Sequence, residues 1–218
     1  LAHLLTLGLD LGLAATITKC LLAPLLAMWV IQQGGPWLLV AALFGCFLGD
    51  LFLDFEGDVW FLIGMVAFAI AQITFVAYFI SDGAIGRFLE HWWIAPVLLV
   101  VAGGVLALVW DGLPPVLRVA VPVYAFLLLT MGALAFSTDI RAGIGAALFI
   151  FSDALIGLRI AEIIPRDSTI ASLTVMATYA AAIFLITIGI LGNMTYVKDA
   201  NTVSGAGTGA ATDTGPGA

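Results

Sequence analysis

An all-α, polytopic transmembrane bundle is the fold class this sequence predicts, and three observations predict it. Of 218 residues, 63% are hydrophobic and only 10% are charged, against roughly 25% charged in soluble domains. The mean hydropathy is +1.18, too apolar for a soluble fold of this length. The apolar residues also come in runs near the ~20 residues that a helix needs to cross a hydrocarbon core. Inside lipid only helices and closed barrels satisfy the backbone. Barrel strands would alternate apolar and polar residues over segments of ~10, which these runs do not.

The runs fall at 1–17, 20–32, 37–53, 59–80, 92–110, 115–136, 141–160 and 168–192. They predict about eight transmembrane helices. Residues 1–32 read alternatively as one long broken helix, which gives seven. The second run opens on Lys19, whose stem is long enough to snorkel to the interface. Gln32-Gln33-Gly34-Gly35-Pro36 is a turn before the third run. Asp111-Gly112-Leu113-Pro114-Pro115 is a second, with proline placed to open the sixth. Pro165-Arg166-Asp167-Ser168 ends the seventh and offers Ser168 as N-cap of the eighth. All connections are short, so consecutive helices should be antiparallel neighbours. Gly45 and Gly49, with Gly145, mark faces stripped for close helix contact. Trp29, Trp37, Trp92, Trp93 and Trp110 lie near run ends, as an interfacial belt would. Residues 1–197 therefore read as one membrane domain. Residues 198–218, rich in Gly, Ala and Thr, cannot bury a core and are expected to be disordered.

Fourteen acids face seven bases, for a net charge of −7. With no basic stripe, nucleic acid is not an expected partner. Cys20 and Cys46 sit in apolar runs and read as small buried hydrophobes. His3 and His91 are the only histidines, which rules out a zinc site built from several of them. In the eight-span reading, four basic residues (Lys19, Arg118, Arg159, Arg166) fall on one side and three (Arg87, Arg141, Lys198) on the other. That leaves membrane orientation open.

The chemistry sits in the few polar groups inside the runs. Asp50 and Asp54 are four residues apart and share one helix face. Two acids that close, partly desolvated, should not both be ionised at neutral pH. The one that keeps its proton is a usable general acid. Asp54 reads alternatively as part of a solvated acidic turn with Glu56 and Asp58. Asp153 follows Ser152 about midway along the seventh run, far from any loop. A carboxyl there is costly, so it is a candidate functional group, or half of a buried ion pair with Lys19 or Arg159. Ser152 lacks a GxSxG setting and could bond back to its own helix, so serine-nucleophile chemistry is disfavoured. Tyr78, Tyr124 and Tyr179 lie in the fourth, sixth and eighth runs. Asp82-Gly83-Ala84-Ile85-Gly86-Arg87 is similar to part of the metal-binding signature of CDP-alcohol phosphotransferases. It lacks the further aspartates of that signature, with Phe79 where one is needed, and no metal is expected.

Three blocks carry a wider resemblance. They are Thr18-Lys19-Cys20-Leu21-Leu22-Ala23-Pro24; Phe44 to Asp54, followed by Phe61-Leu62-Ile63-Gly64-Met65-Val66-Ala67-Phe68; and Gly145 to Phe149 leading into Ser152-Asp153, then Thr178-Tyr179. In this order and spacing the chain resembles the YhhN family of lysoplasmalogenase-like membrane proteins. Gln72 stands where family members often carry histidine, and Phe75 where they often carry tyrosine. The resemblance implies hydrolysis of the vinyl ether bond of lysoplasmalogens, giving a fatty aldehyde and a glycerophospho-ethanolamine or glycerophosphocholine. Acid cleaves vinyl ethers by protonating the alkenyl carbon, after which water captures the oxocarbenium ion. One protonated carboxylic acid and one carboxylate suffice, as in glycosidases, with no cofactor.

On this reading Asp50 and Asp153 are the catalytic acid/base pair, and Asp54 tunes them or replaces one. Lys19 binds the headgroup phosphate, Tyr124 or Tyr179 orders the water, and Ser152 lines the substrate site. The partners are a lysophospholipid entering laterally from the bilayer and the membrane lipids. The location is multi-pass in a membrane, with the plasma membrane expected, and the oligomeric state is open. Two other classes stay in view. One is a proton-coupled transporter of a small or lipidic solute, and the other is a non-catalytic membrane protein with structural ion pairs.

Overall fold

The computed structural model describes the backbone of residues 12–209 apart from 56 and 166, and side chains between 21 and 194. Eight α-helices stand among the described residues: α1 Gly12–Gln32, α2 Trp37–Leu53, α3 Asp58–Ser81, α4 Ala84–Glu90, α5 Ile94–Val109, α6 Leu117–Thr138, α7 Ile140–Ile160 and α8 Thr169–Gly209. A 3-10 turn, Trp110–Gly112, extends α5. Five segments are long and apolar enough to cross a membrane: Asp58–Ser81, Ile94–Gly112, Leu117–Thr138, Ile140–Ile160 and Thr169–Met194. Leu21–Gln32 and Trp37–Leu53 are shorter apolar helices. The outer surface agrees: Val100, Val119 and Ile170 are each more than 70% exposed, a display of apolar surface that suits lipid rather than water. The chain is an all-helical, multi-pass integral membrane protein.

The helices differ from the eight apolar runs in three places. Residues 12–32 form α1 without a break, which agrees over these residues with the alternative reading of a single helix; residues 1–11 lie outside the described residues. A lysine interrupts an apolar run but favours a helix, so Lys19 marks no boundary. Even Pro24, which removes one amide donor, is carried inside α1. The gap between the fourth and fifth runs holds the short helix α4, too brief to show as an apolar run. Finally, α8 continues through 198–209, into the segment expected to be disordered. Extending an existing helix needs no new nucleus. Residues 210–218 lie outside the described residues.

The most extensive pairings are α2 with α3 and α7 with α8, both antiparallel. α6 stands between the two pairs, touching α3 and α7. α1 closes the far side against α2 and α8. Missing side chains permit the tight pairs. A Cβ on Gly145 would lie 2.7 Å from the Ala182 carbonyl oxygen of α8, and one on Gly49 would lie 2.5 Å from the Phe68 ring of α3. By contrast α5 packs only lightly, on α6 and α7. Gly103 and Gly104 in its middle have no neighbour within 4 Å of where a Cβ would stand.

The α6–α7 hairpin turns on a single residue. Asp139 is extended, at φ −150° and ψ 139°, and caps α7 by accepting from the amides of Arg141 at 2.8 Å and Ala142 at 3.3 Å. The Arg141 guanidinium adds a contact at 3.2 Å. Burial opposes ionisation of Asp139, but these hydrogen bonds outweigh it and hold the carboxyl below its ordinary 3.8. Because the folded value is the lower one, the cap stabilises above pH ~4 and its contribution is lost as pH falls through the folded value. Asp139→Ala should lower stability by about 1 kcal/mol at neutral pH. The deficit should shrink on acidification below pH ~4, measured by thermal unfolding in detergent.

Candidate active site

Four helices bring their polar residues to one cavity. It has a volume of about 440 Å³, within the ~300–1,000 Å³ typical of small-molecule pockets. Its polar lining is Asp50 from α2, Tyr124 from α6, Ser152 and Asp153 from α7, and Tyr179 from α8. The rest is apolar, including Met65 and Phe68 of α3, Leu98, Val101 and Val105 of α5, and Leu128 of α6. α5 forms one wall and itself faces outward with Val97, Val100 and Leu108. A thin apolar helix thus separates the cavity from the surroundings of the bundle.

Each carboxyl accepts a phenol hydroxyl. Tyr179 Oη donates to Asp50 Oδ2 at 2.8 Å, joining residues 129 apart in the chain. Tyr124 Oη donates to Asp153 Oδ2 at 2.5 Å. The two pairs differ in access. Asp50 is 2% exposed and Tyr179 4%, whereas Asp153 and Tyr124 are half-buried. The Asp50 pair is therefore the enclosed one, and the Asp153 pair presents surface to the cavity. Tyr179 is fixed by its rings as well as its hydroxyl. It meets Phe149 edge-on at 5.5 Å between centroids and Phe68 edge-on at 5.9 Å. Phe68 and Phe149 meet edge-on in turn at 6.1 Å. Such arrangements are the favoured geometry for aromatic rings, and this one ties α3, α7 and α8 around a single phenol.

The remaining expected site residues fall as follows. Ser152 lines the cavity but donates its hydroxyl across to the Val175 carbonyl of α8 at 3.1 Å. It neither bonds back into its own helix nor stands free as a nucleophile. Asp54 is exposed at the C-cap of α2 and is not among the residues lining the cavity. Although it shares a helix face with Asp50, α2 ends at Leu53, so the next turn leaves the bundle. The side chain of Lys19 lies outside the described residues. The Asp82–Arg87 segment serves packing. Arg87 Nη2 donates to Asp82 Oδ2 at 2.6 Å and to Thr138 Oγ1 at 3.3 Å, and Asn193 Nδ2 donates to Asp82 Oδ2 at 3.0 Å. This node joins α3, α4, α6 and α8 at the end of the bundle away from the cavity.

One residue that acid-centred reasoning passes over is Gln72 of α3. It is fully buried, and neither its Oε1 nor its Nε2 has a hydrogen-bond partner. An amide midway along an apolar helix is a polar intruder like Asp153, and that was its sequence signal.

The sequence pattern of the YhhN family matches residues 14–190. The chain belongs to the YhhN family. Over 183 residues it is 32% identical to a protein of Homo sapiens, Lysoplasmalogenase TMEM86B, covering 81% of this chain and 75% of that relative. No solved structure matches it. The stretch of this YhhN protein that carries the match contains all five polar residues of the cavity.

Tyr124→Phe should remove a part-buried hydrogen bond and lower stability by about 0.5–1.5 kcal/mol. In a double-mutant cycle with Asp153→Asn the two losses should be clearly less than additive, because they delete one contact. Thermal unfolding of the three variants in detergent checks both statements.

Proposed function

We propose that this protein is an integral membrane hydrolase that cleaves the vinyl ether bond of lysoplasmalogens. The observation that carries the reading is two tyrosine-held carboxyls, from α2 and α7, in one otherwise apolar cavity. The likeness to a lysoplasmalogenase supports the substrate class. A single apolar cavity suits a lipid with one chain, with the alkenyl end of that chain brought to the carboxyls and the headgroup left at the polar boundary. The plasma membrane is the proposed location.

The chemistry requires little more than these groups. One carboxylic acid gives its proton to the alkenyl carbon, converting the π bond into a C–H bond and leaving an oxocarbenium ion. The second carboxyl, ionised, stabilises that ion and takes a proton from water as the water oxygen bonds to the cationic carbon. The hemiacetal then collapses: its C–O bond to glycerol breaks, the glycerol oxygen gains a proton, and the hydroxyl proton returns to the carboxylate that began the cycle. The sum is alkenyl ether plus water giving aldehyde plus glycerophospho-alcohol, and both carboxyls are restored. The walls exclude bulk water, which strengthens each electrostatic contact with the cation. The phenol donors Tyr124 and Tyr179 keep the carboxyls aimed. Asp54 takes no part, and Lys19 is assigned the headgroup phosphate.

Purified protein in mixed micelles with a lysoplasmalogen should release a long-chain aldehyde, detected by mass spectrometry. Asp50→Asn and Asp153→Asn should each lower kcat by about 100-fold or more. Full activity in both variants would end this assignment. Uptake of solute into proteoliposomes with no aldehyde formed would favour the transporter instead.

A further inference from the structure

Gln72 sits one helical turn beyond Phe68 on α3, and Phe68 lines the cavity. Its amide lies beside the Tyr124 hydroxyl without closing a hydrogen bond to it. That hydroxyl in turn donates to Asp153. Three polar groups from α3, α6 and α7 thus adjoin one another: Tyr124 and Asp153 line the cavity, and Gln72 lies behind that lining, fully buried, with both its oxygen and its nitrogen unmatched. An unsatisfied buried amide is costly, and a native interior leaves few of them. The protein could have placed an apolar side chain here, as it does at the neighbouring fully buried Ala71 and Phe75. An amide offers a donor and an acceptor to a small polar guest, which needs two or more polar partners to be held in an apolar surround.

We propose that Gln72, Tyr124 and Asp153 form the binding site of the hydrolytic water. The inference rests on the vinyl ether reading and adds roles to it. A water held by the Gln72 amide and the Tyr124 oxygen stands next to Asp153, so Asp153 is the carboxylate that removes its proton. Asp50, on the enclosed side, is then the acid that protonates the alkenyl carbon. As water oxygen bonds to the oxocarbenium carbon, its proton goes to Asp153. During collapse Asp153 passes that proton to the glycerol oxygen as the C–O bond breaks, and the hemiacetal hydroxyl returns a proton to Asp50. Gln72 exchanges no proton; it holds the water.

The test uses two near-isosteric replacements in the full-length protein. Gln72→Met keeps the shape and removes both polar atoms. Gln72→Glu, as a neutral buried acid, keeps a donor and an acceptor. The expected result for Gln72→Met is a kcat lower by about tenfold or more, the scale of a lost buried hydrogen bond. Its KM and melting temperature should match wild type, and Gln72→Glu should restore most of the rate. A side chain that only fills space predicts the reverse: trading an unmatched amide for a thioether would leave kcat intact and raise the melting temperature. Wild-type kcat in Gln72→Met, an equal loss in Gln72→Glu, or a melting temperature in Gln72→Met well below wild type would each overturn the proposal while leaving the hydrolase reading standing. A wild-type protein that releases no aldehyde would remove that reading, and the water site with it.

Discussion

The hydrogen bond from Tyr179 to Asp50 fixes the arrangement of everything around it. It spans the bundle from α8 to α2, and in a hydrocarbon surround neither group can turn to solvent instead. Moving either helix by a few ångströms would strand a carboxyl, a far larger penalty than a misplaced leucine. The ring contacts of Tyr179 with Phe68 and Phe149 extend the same constraint to α3 and α7. Helix pairs with glycine at their crossings, α2 with α3 and α7 with α8, are close enough to present the two carboxyls to one space. The second pair, Tyr124 with Asp153, follows from α6 lying between them.

Much of this was legible in the sequence because membrane helices announce themselves. Asp153, with no loop nearby, was expected inside the bundle, where it is half-buried at the cavity, and Gly49 and Gly145 correctly marked close crossings. That Asp50 and Asp153 line one cavity was expected from the family resemblance, because the vinyl ether chemistry it implies asks for two carboxyls. What failed to show was local. Asp54 stayed open between a partner of Asp50 and part of a solvated acidic turn, because helical spacing says which face a residue occupies and not where its helix leaves the bundle. Lys19 looked like a boundary because hydropathy weighs charge and ignores backbone preference. Which tyrosine serves which carboxyl depends on helix packing order, and no run of residues reveals that. Gln72 was noted only as a departure from the family pattern and not as a site group, because an amide carries no charge, although its hydrogen-bonding needs in an apolar interior are comparable.

The two ends of the bundle are built for different purposes. At one, Asp82, Arg87, Thr138 and Asn193 lock four helices through charge-assisted contacts, the strong class of hydrogen bond. The tight α6–α7 turn at Asp139 stands at the same end. At the other, helices α2, α3, α5, α6, α7 and α8 supply most of the cavity lining. A bundle pinned at one end and opened at the other can house a chain-sized space without loosening its core, since the bulk of the fully buried side chains, such as Phe75, Phe79 and Ile186, lie outside the cavity lining.

The sparse packing of α5 has a kinetic meaning. On the hydrolase reading proposed above, a cavity screened from the acyl phase by one loosely held helix would take its guest from the film, where a single-chain amphiphile is already dissolved, and not from the aqueous bulk. What governs occupancy is then the mole fraction of that amphiphile in the surface. Adding inert lipid at constant total substrate would dilute the guest in two dimensions and slow turnover, as though the substrate had been removed.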